Sequence, residues 1–120
     1  MEPTIDDTHF GAITIAGEVY DHDVVVRLDG KVKKRKKKLS KEIYGTSHLL
    51  SQAEAEHIYE AGAERLIVGA GQQGLLRLSE EAEAYFRKRG VKVEIHPTAT
   101  AVRRWNESEG KVLALFHVTC

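Results

Sequence analysis

Three groups of residues that could bind a ligand each follow a run predicted to be a strand. Gly69 to Gly74, His96 to Thr98 and His117 to Cys120 come after such runs. Backbone amides around glycines can hold phosphate or carboxylate, and imidazoles change charge near neutral pH. We therefore predict a crevice for a small anion or a partner segment at the strand carboxyl ends. The candidate ligand-binding residues are Gly69, Gly71, Gln72, His96, Thr98 and His117.

The glycine group also matches a dinucleotide-binding motif. Gly69, Gly71 and Gly74 have its spacing, and Glu94 follows about 20 residues later, where a ribose-binding acid is expected. In that motif the helix begins within the glycines, whereas here residues 75–78 separate Gly74 from the next helix cap. The spacing favours a tightly packed turn over a nucleotide cradle. We expect no cofactor.

Metal and nucleophile chemistry have weaker support. Asp21 and Asp23 could share an ion, but no complementary set of His or Cys completes a site, so we predict no metal site. Cys120 is the one thiol, and no helix start or fixed cation is evident beside it to activate it. An enzyme using His96, His117 or Cys120 is an alternative. We assign no catalytic residue and expect a binding or accessory module rather than an enzyme.

A basic segment covers residues 31–41. The chain has 18 basic and 18 acidic residues, and this segment holds eight basic residues and no acid. The pattern predicts an edge strand that continues into a solvated loop, since lysines protect sheet edges from aggregation. A nucleic-acid-binding accessory role is the alternative, although no aromatic residue is interleaved for base stacking. The candidate contacts are Lys33, Lys34, Arg35, Lys36, Lys37 and Lys38.

The C-terminal half alternates helices and strands. Ser51 and Glu54 form a capping box that predicts a helix to Ala61, and Ser79 starts a second helix that ends before Gly90. Pro97 precedes a third helix. The buried runs at 66–68 and 112–118 and the alternating run at 91–95 are typical of strands. This order predicts three parallel strands with helices on both faces.

The N-terminal part has the composition of β-strands. We expect a loosely held arm over residues 1–9, then strands over 10–15, 18–20 and 24–28. A turn at Ala16-Gly17 separates the first two, and Asp29-Gly30 predicts a type I′ hairpin turn. These hairpins either extend the parallel sheet or pack beside it.

Chain length and composition limit the class of protein. The 120 residues predict one domain, residues 1–120, with enough chain to bury a core. A single Cys and no secretory leader or apolar run near the ~20 residues of a membrane span predict a cytoplasmic protein. The sequence leaves a monomer and a weak homo-oligomer open.

Several segments together resemble a known family. They are Phe10-Gly11, the Asp21/Asp23 region, Gly45 to His48, Val68 to Gly71, Pro97 to Val102 with Asn106, and Phe116 to Cys120. They are similar to the adipogenesis-associated Mth-domain proteins, whose distant relatives include a mitochondrial complex I assembly factor. The resemblance implies a three-layer α/β domain with a mixed central sheet, a hairpin-rich N-terminal half and a βαβ-type C-terminal half. It brings no catalytic residues.

Overall fold

The computed structural model describes residues 2–120, which form ten strands and four helices. In chain order they are β1 (Ile5–His9), β2 (Ala12–Ile15), β3 (Glu18–Tyr20), β4 (Val24–Val26), β5 (Val32–Lys34), α1 (Lys38–Tyr44), β6 (Leu49–Leu50), α2 (Gln52–Ile58), β7 (Arg65–Ala70), β8 (Arg77–Leu78), α3 (Glu80–Lys88), β9 (Lys92–His96), α4 (Thr98–Glu107) and β10 (Val112–His117).

The central sheet has five strands in the order β5-β4-β10-β7-β9. The strands β10, β7 and β9 are parallel, which confirms the prediction for the C-terminal half. The strands β4 and β5 pair antiparallel and make the sheet mixed. The carboxyl ends of the three parallel strands therefore lie on one rim, together with the start of β4. We call this edge the rim.

Apolar residues cover both faces of the sheet because β7 and β10 are buried on both sides. Leu66 and Val68 face a core that contains Phe86 of α3 and Ala55 of α2. Ile67, between them in sequence, faces the opposite core with Trp105 of α4. The chain therefore has three layers and belongs to the α/β class, as predicted.

The N-terminal hairpins take both predicted positions: β4 and β5 extend the central sheet, while β1, β2 and β3 form a separate antiparallel sheet. The expectation of a loose arm is wrong for residues 5–9, which form β1; Met1 lies outside the described residues. Asn106 of α4 accepts a hydrogen bond from the amide of Ile5 at 3.0 Å and donates to its carbonyl at 2.9 Å. The predicted strand over 10–15 begins at Ala12 because residues 10–11 form the turn.

Two predicted turns have different outcomes. Ala16 and Gly17 both take positive φ, 50° and 82°, between β2 and β3, as a tight hairpin turn requires. The turn at Asp29-Gly30 is longer than predicted: the amide of Arg27 donates to the carbonyl of Lys31, and only Gly30 in this loop has positive φ. A three-residue loop with glycine in the left-handed region replaces the type I′ turn.

The capping box at the start of α2 is half confirmed. The hydroxyl of Ser51 accepts the amide of Glu54 at 3.1 Å. The carboxylate of Glu54 does not return to the amide of Ser51, which instead donates to the hydroxyl of Ser40 at 2.9 Å. This helix ends at Ile58 rather than Ala61. None of the four helices within residues 2–120 is long and apolar enough to cross a membrane.

Candidate functional site

The chain's own last residues occupy the glycine turn at the rim. Gly71 has a φ of 101°, and a Cβ there would lie 2.3 Å from the carbonyl carbon of Cys120. The amide of Gln72 donates to the carbonyl of Thr119 at 2.7 Å, and that of Leu75 donates to Cys120 at 3.3 Å. These amides are not free for a ligand. The turn packs tightly because residues 119–120 lie against it.

Thr98 connects the glycine turn to the final strand. The amide of Gly71 donates to the hydroxyl of Thr98 at 2.9 Å, and that hydroxyl donates to the carbonyl of His117 at 2.7 Å. Gly69 permits this approach, since a Cβ there would lie 3.3 Å from the Cα of Thr98. Four of the predicted residues, Gly69, Gly71, Thr98 and His117, are therefore in one place.

The side chains of the other two predicted residues, His96 and Gln72, do not take part in these contacts. His96 lies on the edge strand β9, where its Nε2 is 3.2 Å from the carboxylate of Glu94. Gln72 belongs to the glycine turn, and its side-chain nitrogen is buried without a hydrogen-bond partner within residues 2–120.

Beside the rim, Arg35 of the expected solvated loop is instead buried in an ionic network. The guanidinium of Arg35 is buried and binds Glu54 through its Nε at 2.6 Å and its NH2 group at 3.0 Å. It also donates to Asp23 at 2.9 Å and to the carbonyl of Ser47 at 2.7 Å. The hydroxyl of Ser40 donates to Glu54 at 2.5 Å. Arg35 is therefore not a surface cation and cannot contact nucleic acid as proposed from the sequence.

The network fixes the charges of its members. Burial alone would raise the pKa of Asp23, but hydrogen bonds from His117, the Val118 amide and Arg35 lower it to about 2. Burial alone would lower the pKa of Arg35, but the hydrogen bond and charge of Glu54, and then those of Asp23, raise it. Both groups are consequently ionised at neutral pH.

The ionised Asp23 orients the imidazole of His117. Its Oδ2 lies 2.8 Å from Nδ1 of His117, and its Oδ1 accepts the amide of Val118 at 3.0 Å. A carboxylate only accepts hydrogen bonds, so Nδ1 carries a hydrogen, and in the neutral ring the lone pair is then on Nε2. Nε2 lies 3.3 Å from the hydroxyl of Thr119. The hydrogen bond to Asp23 fixes the ring of His117, and its Nε2 lies on the side away from the ionic network.

A cavity of about 240 Å³ opens where this network meets the rim. We call it the rim cavity. The rim cavity lies beside the start of β4 and the end of β10. Next to the glycine turn, the corresponding space is filled by residues 118–120. The lining residues of the rim cavity come from four segments: Asp21, His22, Asp23, Lys34, Arg35, Lys37, Ser47, His48, His117, Val118 and Thr119.

His48 and Cys120 lie beside His117. The rings of His48 and His117 are 5.2 Å apart between centroids and nearly perpendicular, and the Sγ of Cys120 is 3.7 Å from Nε2 of His48. The short parallel pair of β6 and β8 places His48 here, since the amide of Arg77 donates to its carbonyl at 2.8 Å. No local pattern predicted this contact, and the segment Gly45–His48 stood out only through the family resemblance.

The remaining lysines of the basic segment are exposed. β5 is an edge strand, as predicted, and Lys33, Lys34 and Lys36 border a second cavity of about 570 Å³. Val25, Arg27 and His57 complete its lining. Arg27 is already paired with Glu60, at 3.1 Å.

Fold and site together define a small three-layer α/β domain whose mixed sheet carries a buried ionic network at one rim. A family model described as "Protein of unknown function (DUF498/DUF598)" matches residues 5–117. The chain belongs to this family.

Solved structures confirm the resemblance to Mth-domain proteins. A conserved hypothetical protein from Pyrococcus horikoshii OT3 is 34% identical, with a TM-score of 0.89 over 98% of this chain and 99% of its own. The protein MT938 is also 34% identical, with a TM-score of 0.83 over 99% and 100%. A Mth938-like domain from Bordetella pertussis shares the fold at 18% identity, with a TM-score of 0.66 over 97% and 85%.

Proposed function

We propose that the protein is a binding module that takes a small anion in the rim cavity. The observation that carries this proposal is the cavity itself, placed where a fixed imidazole, two free lysines and a buried ionic network meet. It lies at the carboxyl end of β10, where ligands of open α/β sheets commonly bind.

The charges around the cavity favour an anion. Lys34 and Lys37 are exposed and line it, so their ammonium groups are free to move toward a ligand. Asp23 is buried, and its two oxygens already accept hydrogen bonds from Arg35, His117 and the Val118 amide. Asp21 is the exposed carboxylate of the lining, so two exposed lysines stand against one exposed carboxylate.

The volume of the cavity supports a ligand of phosphate or small carboxylate size. Pockets for drug-sized molecules occupy about 300–1,000 Å³, and this one measures about 240 Å³. A nucleotide or an extended polynucleotide would have to bind outside it, along the exposed lysines of β5. The alternative nucleic-acid role therefore predicts a different set of contributing residues.

A phosphate titration of the chelator-treated protein tests the proposal. We expect saturable changes in the NMR signals of Val118, Thr119 and the imidazole of His117 as inorganic phosphate is added at low salt. The double variant Lys34→Met, Lys37→Met removes two cations from the cavity and should weaken binding about tenfold, since each exposed ion pair contributes up to ~1 kcal/mol. Sodium chloride should weaken binding further.

A matched control carries the same charge change elsewhere. The double variant Lys88→Met, Lys92→Met alters exposed lysines outside the rim cavity and should bind phosphate like the parent protein. Unsaturable shifts, or equal weakening by both double variants, would contradict the anion site. A third pair, Lys33→Met and Lys36→Met, should leave phosphate binding intact. If that pair instead abolishes binding of a single-stranded oligonucleotide while phosphate has no effect, the nucleic-acid role replaces the proposal.

We extend the proposal to the compartment and the oligomeric state of the protein. We infer a binding or accessory module of the cytoplasm, because a free thiol at Cys120 suits a reducing compartment. A monomer or a weak homo-oligomer agrees with the lysine-rich edge strand β5, which discourages edge-to-edge pairing.

A further inference from the structure

We propose that His48, His117 and Cys120 form a binding site for a zinc ion. We call these three residues the zinc cluster. Each supplies one ligand atom, and the three atoms all lie within 4.8 Å of one another. The site goes beyond the proposed anion cavity and does not depend on it.

The spacing of the ligand atoms suits a tetrahedral ion. Zinc binds imidazole nitrogen at about 2.0–2.1 Å and thiolate sulfur at about 2.3 Å, which places ligand atoms roughly 3.3–3.7 Å apart. The Sγ of Cys120 is 3.7 Å from Nε2 of His48. Since no separation in the zinc cluster exceeds 4.8 Å, the excess over the ideal is at most about 1 Å, which small side-chain rotations can close.

The orientation of His117 is a second, independent argument. Its Nδ1 donates to Asp23, so in the neutral ring, the form that binds metals, the lone pair is on Nε2, which faces away from the network. Zinc-binding histidines commonly donate their other nitrogen to a carboxylate, which fixes the ring and raises its basicity. Asp23 is itself held by Arg35 and by the amide of Val118. The hydroxyl of Thr119, 3.3 Å from Nε2, must turn aside when zinc binds.

Backbone hydrogen bonds hold the segments that bear the other two ligands. The amide of His48 donates to the side-chain hydroxyl of Thr46, and its carbonyl accepts a hydrogen bond from the amide of Arg77. The carbonyl of Cys120 accepts a hydrogen bond from the amide of Leu75. Gly71 has no side chain, and this leaves the space that Cys120 occupies. Since these segments are already in place, metal binding orders little additional chain.

The donor types select the metal. One thiolate with two imidazoles suits a borderline-soft ion, and among common ions Zn²⁺ prefers this set in tetrahedral geometry. His48 and His117 also line the rim cavity, so water or a small anion in that cavity would supply the fourth ligand. Binding releases the thiol proton of Cys120 to the buffer, so affinity should fall as pH falls.

Metal titration of an untagged, reduced and chelator-treated protein tests the inference in phosphate-free buffer. Calorimetry should show one Zn²⁺ per chain. Co²⁺ should give a tetrahedral visible spectrum with a thiolate-to-cobalt absorption. Cys120→Ser should lose that absorption, and His48→Ala should weaken binding by at least roughly tenfold.

Two further variants distinguish the zinc cluster from zinc binding at surface histidines. Asp23→Asn keeps the shape of the side chain but removes the carboxylate that holds the ring of His117, and it should weaken zinc binding about 10- to 100-fold. His57→Ala removes an exposed histidine outside the zinc cluster and should bind zinc like the parent. Far-ultraviolet circular dichroism checks that each variant is folded.

The outcomes are distinguishable from those of the anion test. No zinc uptake, or equal uptake by Cys120→Ser and the parent protein, would overturn the zinc site. Because the phosphate titration uses metal-free protein and the zinc titration uses phosphate-free buffer, either site can fail alone.

Discussion

Arg35 shows how one buried cation can organise a site. It joins Asp23 before β4, Glu54 of α2 and the carbonyl of Ser47 in the connection between α1 and β6. Two ionised carboxylates buried without this partner would each lose far more solvation energy than their remaining contacts recover. The position of Asp23, and through it the ring of His117, therefore depends on Arg35.

Replacing Arg35 by Met should destabilise the protein by about 3–5 kcal/mol, because both carboxylates lose their buried counter-ion. Urea denaturation at neutral pH, followed by tryptophan fluorescence, measures the change.

The neighbouring Lys36 carries the same charge on the surface and serves as the control for this prediction. Lys36→Met should change the free energy of unfolding by less than about 0.5 kcal/mol. Similar effects of the two substitutions would mean that Arg35 is solvated, contrary to its burial in the structure.

The contact between β9 and α4 depends on Glu94. Arg104 of α4 donates to this carboxylate at 3.0 Å, and Arg65 of β7 lies 3.5 Å from it. His96 on the same strand is 3.2 Å away. The hydrogen bond from Arg104 is the largest cause that lowers the pKa of Glu94; burial opposes it, and His96 and the charge of Arg65 add to the lowering.

A lowered carboxyl pKa gives a pH-dependent contribution to stability. It is fully present above the ordinary value of 4.5 and is lost as pH falls through the lower value of the folded state. Glu94→Gln should therefore lower the urea midpoint at neutral pH, and the difference from the parent should shrink below pH 4.5. Urea titrations across this range measure it.

Glu42→Gln, at an exposed position of α1, is the comparison for this series. Its difference from the parent should be small at every pH. A deficit of Glu94→Gln that stays constant down to strongly acid pH would show that the loss comes from packing rather than from ionic contacts.

Residues 118–120 pack against segments from the middle of the chain. Residues 118–120 lie over the glycine turn, Thr98 joins that turn to β10, and the amide of Gly11 donates to the carbonyl of Val118. Gly71 is the position that permits this packing, because its neighbour Cys120 occupies the space of a side chain.

Gly71→Ala should cost roughly 2–4 kcal/mol, the sum of a left-handed backbone penalty and of displacing residues 119–120. Chemical denaturation measures the loss, and the NMR signals of Thr119 and Cys120 should shift.

Gly90→Ala isolates the backbone part of this cost. Gly90 has a φ of 73°, and no atom of residues 2–120 outside its chain neighbours lies within 4 Å of an added Cβ, so the substitution should cost only about 1–2 kcal/mol. Equal losses at the two glycines would show that the chain end is not packed against the turn.

Local patterns in the sequence were enough to predict much of the architecture. Leu66 to Val68 are apolar without alternation and lie within the buried strand β7. Residues 112–118 are apolar apart from His117 and contain the buried strand β10. Ser79 caps α3 as expected, with its hydroxyl accepting the amide of Ala82 at 3.1 Å. These features are encoded within a few residues, through burial period, capping and turn chemistry, so they can be predicted without knowledge of the rest of the chain.

The candidate site depended on contacts between distant segments. Asp23 and His117 are 94 residues apart, and Cys120 is 72 residues from His48. Nothing in the lysine-rich segment distinguished Arg35 from its exposed neighbours. The sequence assigned Glu54 to a capping box and not to an ion pair with Arg35. The sequence predicted the strands of the central sheet, the parallel order and the shared rim, because neighbouring residues specify them, but it missed β1, β6 and β8. The buried ionic network and the zinc cluster came only from packing, because the burial and partners of a charged side chain are set by whichever segments the fold brings beside it.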